Sequence, residues 1–386
     1  MKINIKTLTS LIVAFCVVAF CVVAFCVVAL QGGKDGSEAA MDINQDASNS
    51  WPGEVVLFSW ADYIDPEVVA QFTQETGIEV RIETYDSPSQ MKGYMRSKPG
   101  RYDIAVVDEF SMAELSEIQL IAPLNHAEIP NIKNMSEDFM GRDFDPTNRY
   151  SVPYTWGSVL IAYRNDKIEE PEESWSLLWD ETLKGQIAII EDEDDAFAVG
   201  LISSGFSIRS EKVDELNQVA KKMLDHAKNL RPKYLELEKI KEQLDSGALS
   251  AALCYSGDAM VMADENENIS CFIPKEGAPL YIDSFTLVRD APNRENAHKF
   301  IDFMSRGEIA GQNATYLWMA TPNDAAIPHI DPETLEDTTV FLDKETFAKC
   351  GFYGMPTAKR DKITNQAMKF IMDEIHLNLV DEKSAE

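Results

Sequence analysis

Basic residues are scarce in this chain: 35 Lys and Arg stand against 65 Asp and Glu, for a formal net charge of −30 over 386 residues. A protein so acidic repels phosphate backbones, and no run of Lys or Arg builds a local basic patch, so nucleic acid is not an expected partner. Metal-site spacing is missing as well. The five histidines (His126, His226, His298, His329 and His376) are scattered, with no His-x-x-x-His and no Cys-x-x-Cys, so neither a metal nor a cofactor is expected. There is no P-loop and no Gly-x-Gly-x-x-Gly. Ser256 stands in Cys-Tyr-Ser-Gly-Asp, which lacks the first glycine of a nucleophile elbow. No motif with a catalytic mechanism is found, and the expectation is that the protein is not an enzyme. Beyond residue 31 only Cys254, Cys271 and Cys350 remain, an odd number that sets up no disulfide framework. Sequence names no pair among them.

What is present begins with one long hydrophobic run. Lys2 and Lys6 precede unbroken apolar sequence from Leu11 to Leu30, built on a Val-Val-Ala-Phe-Cys repeat. A positive flank followed by an apolar core is the pattern of an export signal. Twenty such residues are also enough to span a bilayer. The segment 1–31 therefore reads as a signal peptide or as an N-terminal membrane anchor, and either way the protein is exported to the periplasm. Residues 32–53 are polar and rich in Gly, Ser, Asp and Asn, as a flexible linker would be.

Order is expected from Glu54. Val55 to Phe58 reads as a buried strand. Asp65-Pro66-Glu67 supplies an N-cap and a proline at the first helical position, and Gly77 ends that helix. Strands follow at 79–83 and 102–107, with a helix at 91–96 between them. The rhythm returns as strand 186–190, helices 196–202, 213–230 and 235–244, and strands 249–255, 270–273 and 284–288. A helix at 294–304 has Asn293 as its candidate cap, and residues 365–377 read as a last helix. Alternating β and α elements argue for mostly parallel sheets with helices on their faces. Two such units joined by extended crossings would place a ligand in the cleft between them, near the strand ends.

Clusters of aromatic and acidic residues fall where these strands are expected to end: Trp60-Ala61-Asp62-Tyr63, Asp108-Glu109-Phe110, Glu191 to Asp195, Tyr255-Ser256-Gly257-Asp258 and Tyr281-Ile282-Asp283-Ser284. Such residues suit a flexible hydrocarbon carrying ammonium groups. Ring faces bury the methylenes and attract the charges, at about 0.5–2 kcal/mol for each cation–π contact. Carboxylates must meet the ammonium groups, because an unpaired charge in a closed cleft costs several kcal/mol.

From about Val55 to Asn323 the chain resembles the spermidine/putrescine-binding periplasmic proteins of polyamine ABC transporters. The resemblance is carried by LFSWADYIDPEVVAQFTQETGIEV, RYDIAVV, FDPTNRYSVPYTWGSVLIAY, SWSLLWDETLKGQ, YSGD, IPKEGAPLYIDS and ATPN, in that order. It implies an α/β, two-lobed periplasmic-binding-protein fold of type II with its ligand between the lobes. Residues 54–157 and 282–328 would form the first lobe, and residues 158–281 and 329–386 the second. The implied function is capture of a putrescine- or spermidine-class polyamine by a monomer and its delivery to an inner-membrane ABC permease.

Residue by residue, Trp60 and Tyr63 match the family's first-lobe aromatic wall. Asp192 and Asp195 match acids at the start of a second-lobe helix. Tyr255 stands where the family has a Trp lying against the methylenes, and Asp258 matches an acid of putrescine-binding members. Tyr281 matches a further wall position, and Asp283 the acid that holds an amine. The departures are Ala61 for a hydroxyl residue, Met319 for a Tyr, and Asp108-Glu109-Phe110 where small polar residues and an aromatic are usual. Trp156 reads as packing at a hinge more than as a ligand contact. Each of these residues also has an ordinary structural use: Asp192 and Asp195 as helix caps, Asp283 in a turn, Tyr255 as a core-facing strand residue. Three other readings stay open on sequence alone: a polyamine sensor for a membrane receptor, a binder of another small cation, and a glycosidase using Asp192 and Asp195.

Overall fold

The computed structural model describes residues 53–385, with side chains to 377. The apolar run and all but the last residue of the linker lie outside the described residues. Among the described residues no helix is long and apolar enough to cross a membrane.

The strands are β1 (Glu54–Ser59), β2 (Glu79–Thr84), β3 (Ile104–Val107), β4 (Ile121–Ala122), β5 (Val152–Arg164), β6 (Ile187–Ile190), β7 (Lys233–Leu235), β8 (Ala251–Tyr255), β9 (Ile269–Phe272), β10 (Pro279–Val288) and β11 (Gly351–Phe352). The main helices are α1 (Pro66–Thr76), α2 (Pro88–Ser97), α3 (Glu109–Glu117), α4 (Glu193–Ile202), α5 (Val213–Leu230), α6 (Leu237–Asp245), α7 (Ser256–Glu265), α8 (Arg294–Met304), α9 (Gly307–Leu317) and α10 (Ala358–Ala385).

Strands follow one another in the order β2-β1-β3-β10-β5-β8-β6-β7. The first lobe is built on β2-β1-β3, all parallel, with β10 antiparallel at the side of β3. Val55 to Ser59 of β1 are all buried, as expected for a parallel strand covered on both faces. One layer, with Val55, Leu57, Phe72, Phe300 and Phe303, packs on one side of this sheet; another, with Val56, Phe58, Tyr85, Tyr102 and Met91, packs on the other. The second lobe has β7-β6-β8 in parallel. Its core joins β6 and β8 to α4 and α5, and Met368, Ile371 and Ile375 of α10 seal it.

Two strands run from one lobe into the other. β5 pairs with β10 through Val152–Ser158 and with β8 and β9 through Val159–Arg164. Over this junction lies a small separate core of Phe139, Trp156, Leu280, Ile282, Ala320 and Val340. Trp156 belongs to it, with its ring 5.3 Å from Phe139.

Local chemistry explains the helix ends nearest the cleft. Asp65 caps α1 by accepting from the Glu67 N–H at 2.8 Å. Gly77 closes the helix in the left-handed region, at φ 72°, where a side chain would be strained. The helix expected at 213–230 is α5, with the same bounds. Two local readings are corrected. Asn293 does not cap α8 through its side chain; its amide is drawn off to the buried Asp103 carboxylate at 3.1 Å. The strand expected at 284–288 begins five residues earlier, at Pro279. Tyr281 and Asp283 therefore sit inside a strand and not at its end. Proline at the entry and aspartate inside are poor strand signals, and both are accommodated here: a bulge between Asp283 and Ser284 gives β5 the extra residue Tyr154.

Candidate functional site

Two buried carboxylates organise the cleft, one from each half. Asp283, on β10, accepts a 2.5 Å hydrogen bond from the Tyr63 hydroxyl. Burial, and then the neighbouring Asp108, push its carboxyl from 3.8 to about 7; the Tyr63 hydrogen bond opposes the rise. Asp195, in the first turn of α4, accepts from the Tyr255 hydroxyl at 2.6 Å on Oδ2 and from the Tyr353 hydroxyl on Oδ1. Burial, followed by the charge of Asp192, raises it likewise to about 7. An ionised carboxylate held away from water is costly unless a cation meets it. Each half thus presents a buried acid with a tyrosine hydroxyl on it, whose ionised form a nearby cation would favour.

Rings line the space between these acids. In β10 residues 281 and 283 share a face, because side chains alternate along a strand. Tyr281 lies opposite Gly157 of β5, and Asp283 opposite Thr155. A Cβ on Gly157 would run into the Tyr281 hydroxyl and the Ser256 Oγ, so the bare glycine is what lets the phenol cross the strand. The Tyr281 ring is 5.6 Å from that of Tyr255. Its hydroxyl is raised by burial first, and then by the charges of Asp283, Asp258 and Asp195, so both organising carboxylates act on one phenol.

The first-lobe rings come from the turn after β1. Asp62 takes a left-handed conformation there, φ 52°; Trp60 packs against both layers of the first-lobe core, and Tyr63 against the layer that holds Val55 and Leu57. Trp60 packs 4.4 Å from Tyr85, whose own hydroxyl donates to the Val106 carbonyl at 2.6 Å. Thr155 stands 3.2 Å from the Tyr63 hydroxyl. Behind them Tyr154 donates to the Tyr63 carbonyl at 2.7 Å and receives the Asn313 amide at 2.9 Å.

Several other residues of the reading are engaged elsewhere. Asp192 is exposed and caps α4, accepting from the Asp194 and Asp195 N–H groups at 2.9 and 3.0 Å. Asp108 caps α3 in the same way, with the Ser111 N–H at 2.8 Å and its hydroxyl at 2.6 Å. Asp258 pairs with Lys241 at 3.4 Å. Met319 is buried, and a Cβ on Gly257 would meet its Cγ at 3.3 Å. Phe110 reaches from α3 to the second-lobe core, its ring 5.4 Å from Tyr353. Cys254, Cys271 and Cys350 are free thiols.

The bacterial extracellular solute-binding protein family model matches residues 67–341. The chain belongs to that family. A spermidine/putrescine-binding periplasmic protein of Escherichia coli (strain K12) is 29% identical over 300 residues, covering 75% of this chain and 83% of the relative. A putrescine/agmatine-binding protein of Pseudomonas aeruginosa is 27% identical over 325 residues, covering 78% and 88%. Among solved structures, the spermidine/putrescine ABC transporter substrate-binding protein of Streptococcus pneumoniae superposes with TM-score 0.77 at 30% identity, over 83% of this chain and 99% of that one. The fold is accordingly the two-lobed periplasmic-binding-protein fold expected from the sequence.

For a solute-binding protein the residues that sequence reading passed over are informative. Thr155 and Gly157 lie in β5, where Pro153 and Gly157 blunt any strand pattern. Glu109 stands in the Asp108-Glu109-Phe110 cluster, and nothing local marks it as a structural acid. It is buried and accepts the Ile282 N–H at 3.1 Å, a tie between α3 and β10; burial and then Asp108 hold its carboxyl well above the usual range. Tyr353 lies past the point where the family resemblance fades, and its only local signal is the Phe352-Tyr353 pair between Gly351 and Gly354.

Proposed function

We propose that the protein captures a small polyamine outside the cytoplasm and delivers it to an ABC permease, without catalysis. The observation that carries this reading is the pair of buried acids, Asp283 with Tyr63 and Asp195 with Tyr255, on either side of Tyr281. Two anions flanking aromatic faces complement a dication joined by methylenes: the rings cover the hydrocarbon, and each ammonium donates charge-assisted hydrogen bonds to an acid. Trp60 and Tyr63 form the first-lobe wall, and Tyr255 and Tyr281 line the second. Asp108, Phe110, Asp192, Asp258 and Met319 set the field and shape around them. The names of the relatives, which bind spermidine, putrescine or agmatine, support the same ligand class.

The crossing strands β5 and β10 support a hinge near Gly157 and Ile282, with residues 54–157 and 282–328 forming the first lobe and 158–281 and 329–386 the second. Closure about such a hinge would present both lobes of one monomer to the permease. Segment 1–31 would direct export to the periplasm and then be removed or remain as an anchor.

Calorimetry of the mature protein against putrescine, cadaverine, spermidine, agmatine, lysine and arginine tests the reading. Saturable binding of at least one aliphatic amine, recovered chemically unchanged, is expected. Absence of heat with every amine, or turnover of the ligand, would overturn it.

A further inference from the structure

The C-terminal segment sends one side chain into the cleft. Gly351 and Phe352 pair in parallel with Pro279 and Leu280 of β10, which brings the next residue, Tyr353, alongside Tyr281. Tyr353 is buried, at 9% exposure. Its hydroxyl donates to Asp195 Oδ1, while Tyr255 holds Oδ2. Phe110 of the first lobe meets its ring nearly edge-on, at 5.4 Å and 63°. Gly354 follows immediately, and any Cβ there would strike the Arg209 side chain. The Tyr353 side chain is therefore held at its hydroxyl by Asp195 and at its ring by Phe110.

We propose that Tyr353, backed by Phe110, is a length stop: it closes the Asp195 end of the slot, so that the protein takes a diamine and discriminates against a triamine. This rests on the polyamine reading above and deepens it. A carboxylate offers about four lone-pair positions. Two on Asp195 are occupied by phenols, which leaves room for a terminal ammonium but not for a chain running past it. The remaining acids around the cleft are committed. Asp192 and Asp108 cap helices, Asp258 faces Lys241, and Glu109 holds the Ile282 N–H. A third ammonium beyond Asp195 would have to pass the Tyr353 and Phe110 rings, and a buried cation left without a partner is strongly disfavoured. The two buried acids, one on each side of Tyr281, match two ammonium groups.

The test is competition calorimetry of full-length mature protein, wild type, Tyr353→Phe and Tyr353→Ala, with putrescine and spermidine. Wild type should prefer putrescine by tenfold or more. Tyr353→Phe keeps the ring and should keep that preference. Tyr353→Ala removes the stop and should shrink the preference at least tenfold, mainly by improved spermidine binding. Tyr316→Ala, at an exposed tyrosine of α9 (53% exposed), should leave the ratio unchanged, and circular dichroism with thermal melting reports whether each variant folds. A wild type that binds spermidine as tightly as putrescine overturns the length stop alone. So does a folded Tyr353→Ala with an unaltered ratio. If no protein binds either amine, the length stop and the polyamine reading fail together. Should Tyr353→Ala not fold, the wild-type ratio, together with Phe110→Ala showing the same loss of discrimination, decides the matter.

Discussion

The Tyr63 hydroxyl donates to Asp283 across 220 residues of sequence, at 2.5 Å. That bond joins the turn after β1 to the middle of β10, and Tyr154 on the Tyr63 carbonyl and Thr155 beside its hydroxyl hold the same turn. Removing the acid should therefore hurt binding more than removing the hydroxyl. Asp283→Asn should weaken diamine binding by about 1.5–3 kcal/mol, the scale of a hydrogen bond to a charged group, and Tyr63→Phe by about 0.5–1.5 kcal/mol. Calorimetric dissociation constants for the two variants check this, and equal affinity of Asp283→Asn and wild type removes Asp283 from the site.

Affinity should rise with pH. Asp283 and Asp195 titrate near 7 in the folded, ligand-free chain, against 3.8 ordinarily, chiefly because burial disfavours their charged forms. An ammonium group favours the ionised acid, so binding at neutral pH should expel protons into the buffer. Without ligand the sign is reversed. Both groups hold protons more tightly when folded, so their contribution to stability is complete below about pH 4 and is lost as pH rises through about 7. Titration calorimetry in two buffers of different ionisation enthalpy counts the protons released. A pH-independent affinity between 5 and 8, with no proton release, contradicts the arrangement.

The helix cap at Asp192 offers a separable effect. Asp192→Ala leaves the Asp194 and Asp195 N–H groups without their acceptor, which should cost about 0.5–2 kcal/mol of stability. It also removes the second-largest cause of the raised Asp195 carboxyl. The pH at which binding strengthens should thus move downward in the variant, although Asp192 is itself exposed. A denaturant melt and a pH series of affinities read the two effects independently; an unshifted pH profile would mean that the charge of Asp192 does not reach Asp195.

How legible this was in the sequence depends on which interactions shape each element. α1 could be read from Asp65, Pro66 and Gly77 because capping is local: donors, acceptors and the left-handed glycine lie within a dozen residues. α5 could be read because Leu216, Val219, Met223 and Leu230 recur at helical spacing on one buried face. The start of β10 could not, because what permits proline, tyrosine and aspartate there is supplied from elsewhere: Gly157 opposite Tyr281, Glu109 on the Ile282 N–H and Tyr63 on Asp283. Asn293 has the composition of a cap, yet a carboxylate 190 residues away claims its side chain. Tyr353 carries no periodic signal, and its neighbours Asp195 and Phe110 are distant in the chain. The cleft is made of non-local contacts, which is where reading one sequence has least to work with.

Glycine at 157 is a steric requirement that can be tested directly. A methyl group there would collide with the Tyr281 hydroxyl and press on Ser256 Oγ. Overpacking of this kind costs typically about 1–3 kcal/mol, and the ring must tilt away from β5 to relieve it. Gly157→Ala should therefore lower the thermal midpoint and weaken diamine binding together. The double variant Gly157→Ala with Tyr281→Ala, which removes both the hydroxyl and the ring carbon that the added methyl would meet, should cost less stability than the two single changes added together. Strictly additive costs would show that the glycine serves something other than the passage of the phenol.

Glu109 separates a structural acid from a ligand-binding one. It is buried and accepts the Ile282 N–H between the two residues that face the cleft, Tyr281 and Asp283, while burial holds its carboxyl well above the usual range. A protonated or amide side chain accepts that N–H as well as a carboxylate does, so Glu109→Gln should leave stability within about 1 kcal/mol of wild type. Glu109→Ala orphans a buried backbone donor and should cost about 1–3 kcal/mol. Diamine affinity should follow the same order, near normal for the glutamine variant and reduced for the alanine, because the displaced strand carries Asp283 with it. If instead Glu109→Gln abolishes binding while melting at the wild-type temperature, Glu109 itself meets an ammonium group, and the slot holds three anions where two are inferred.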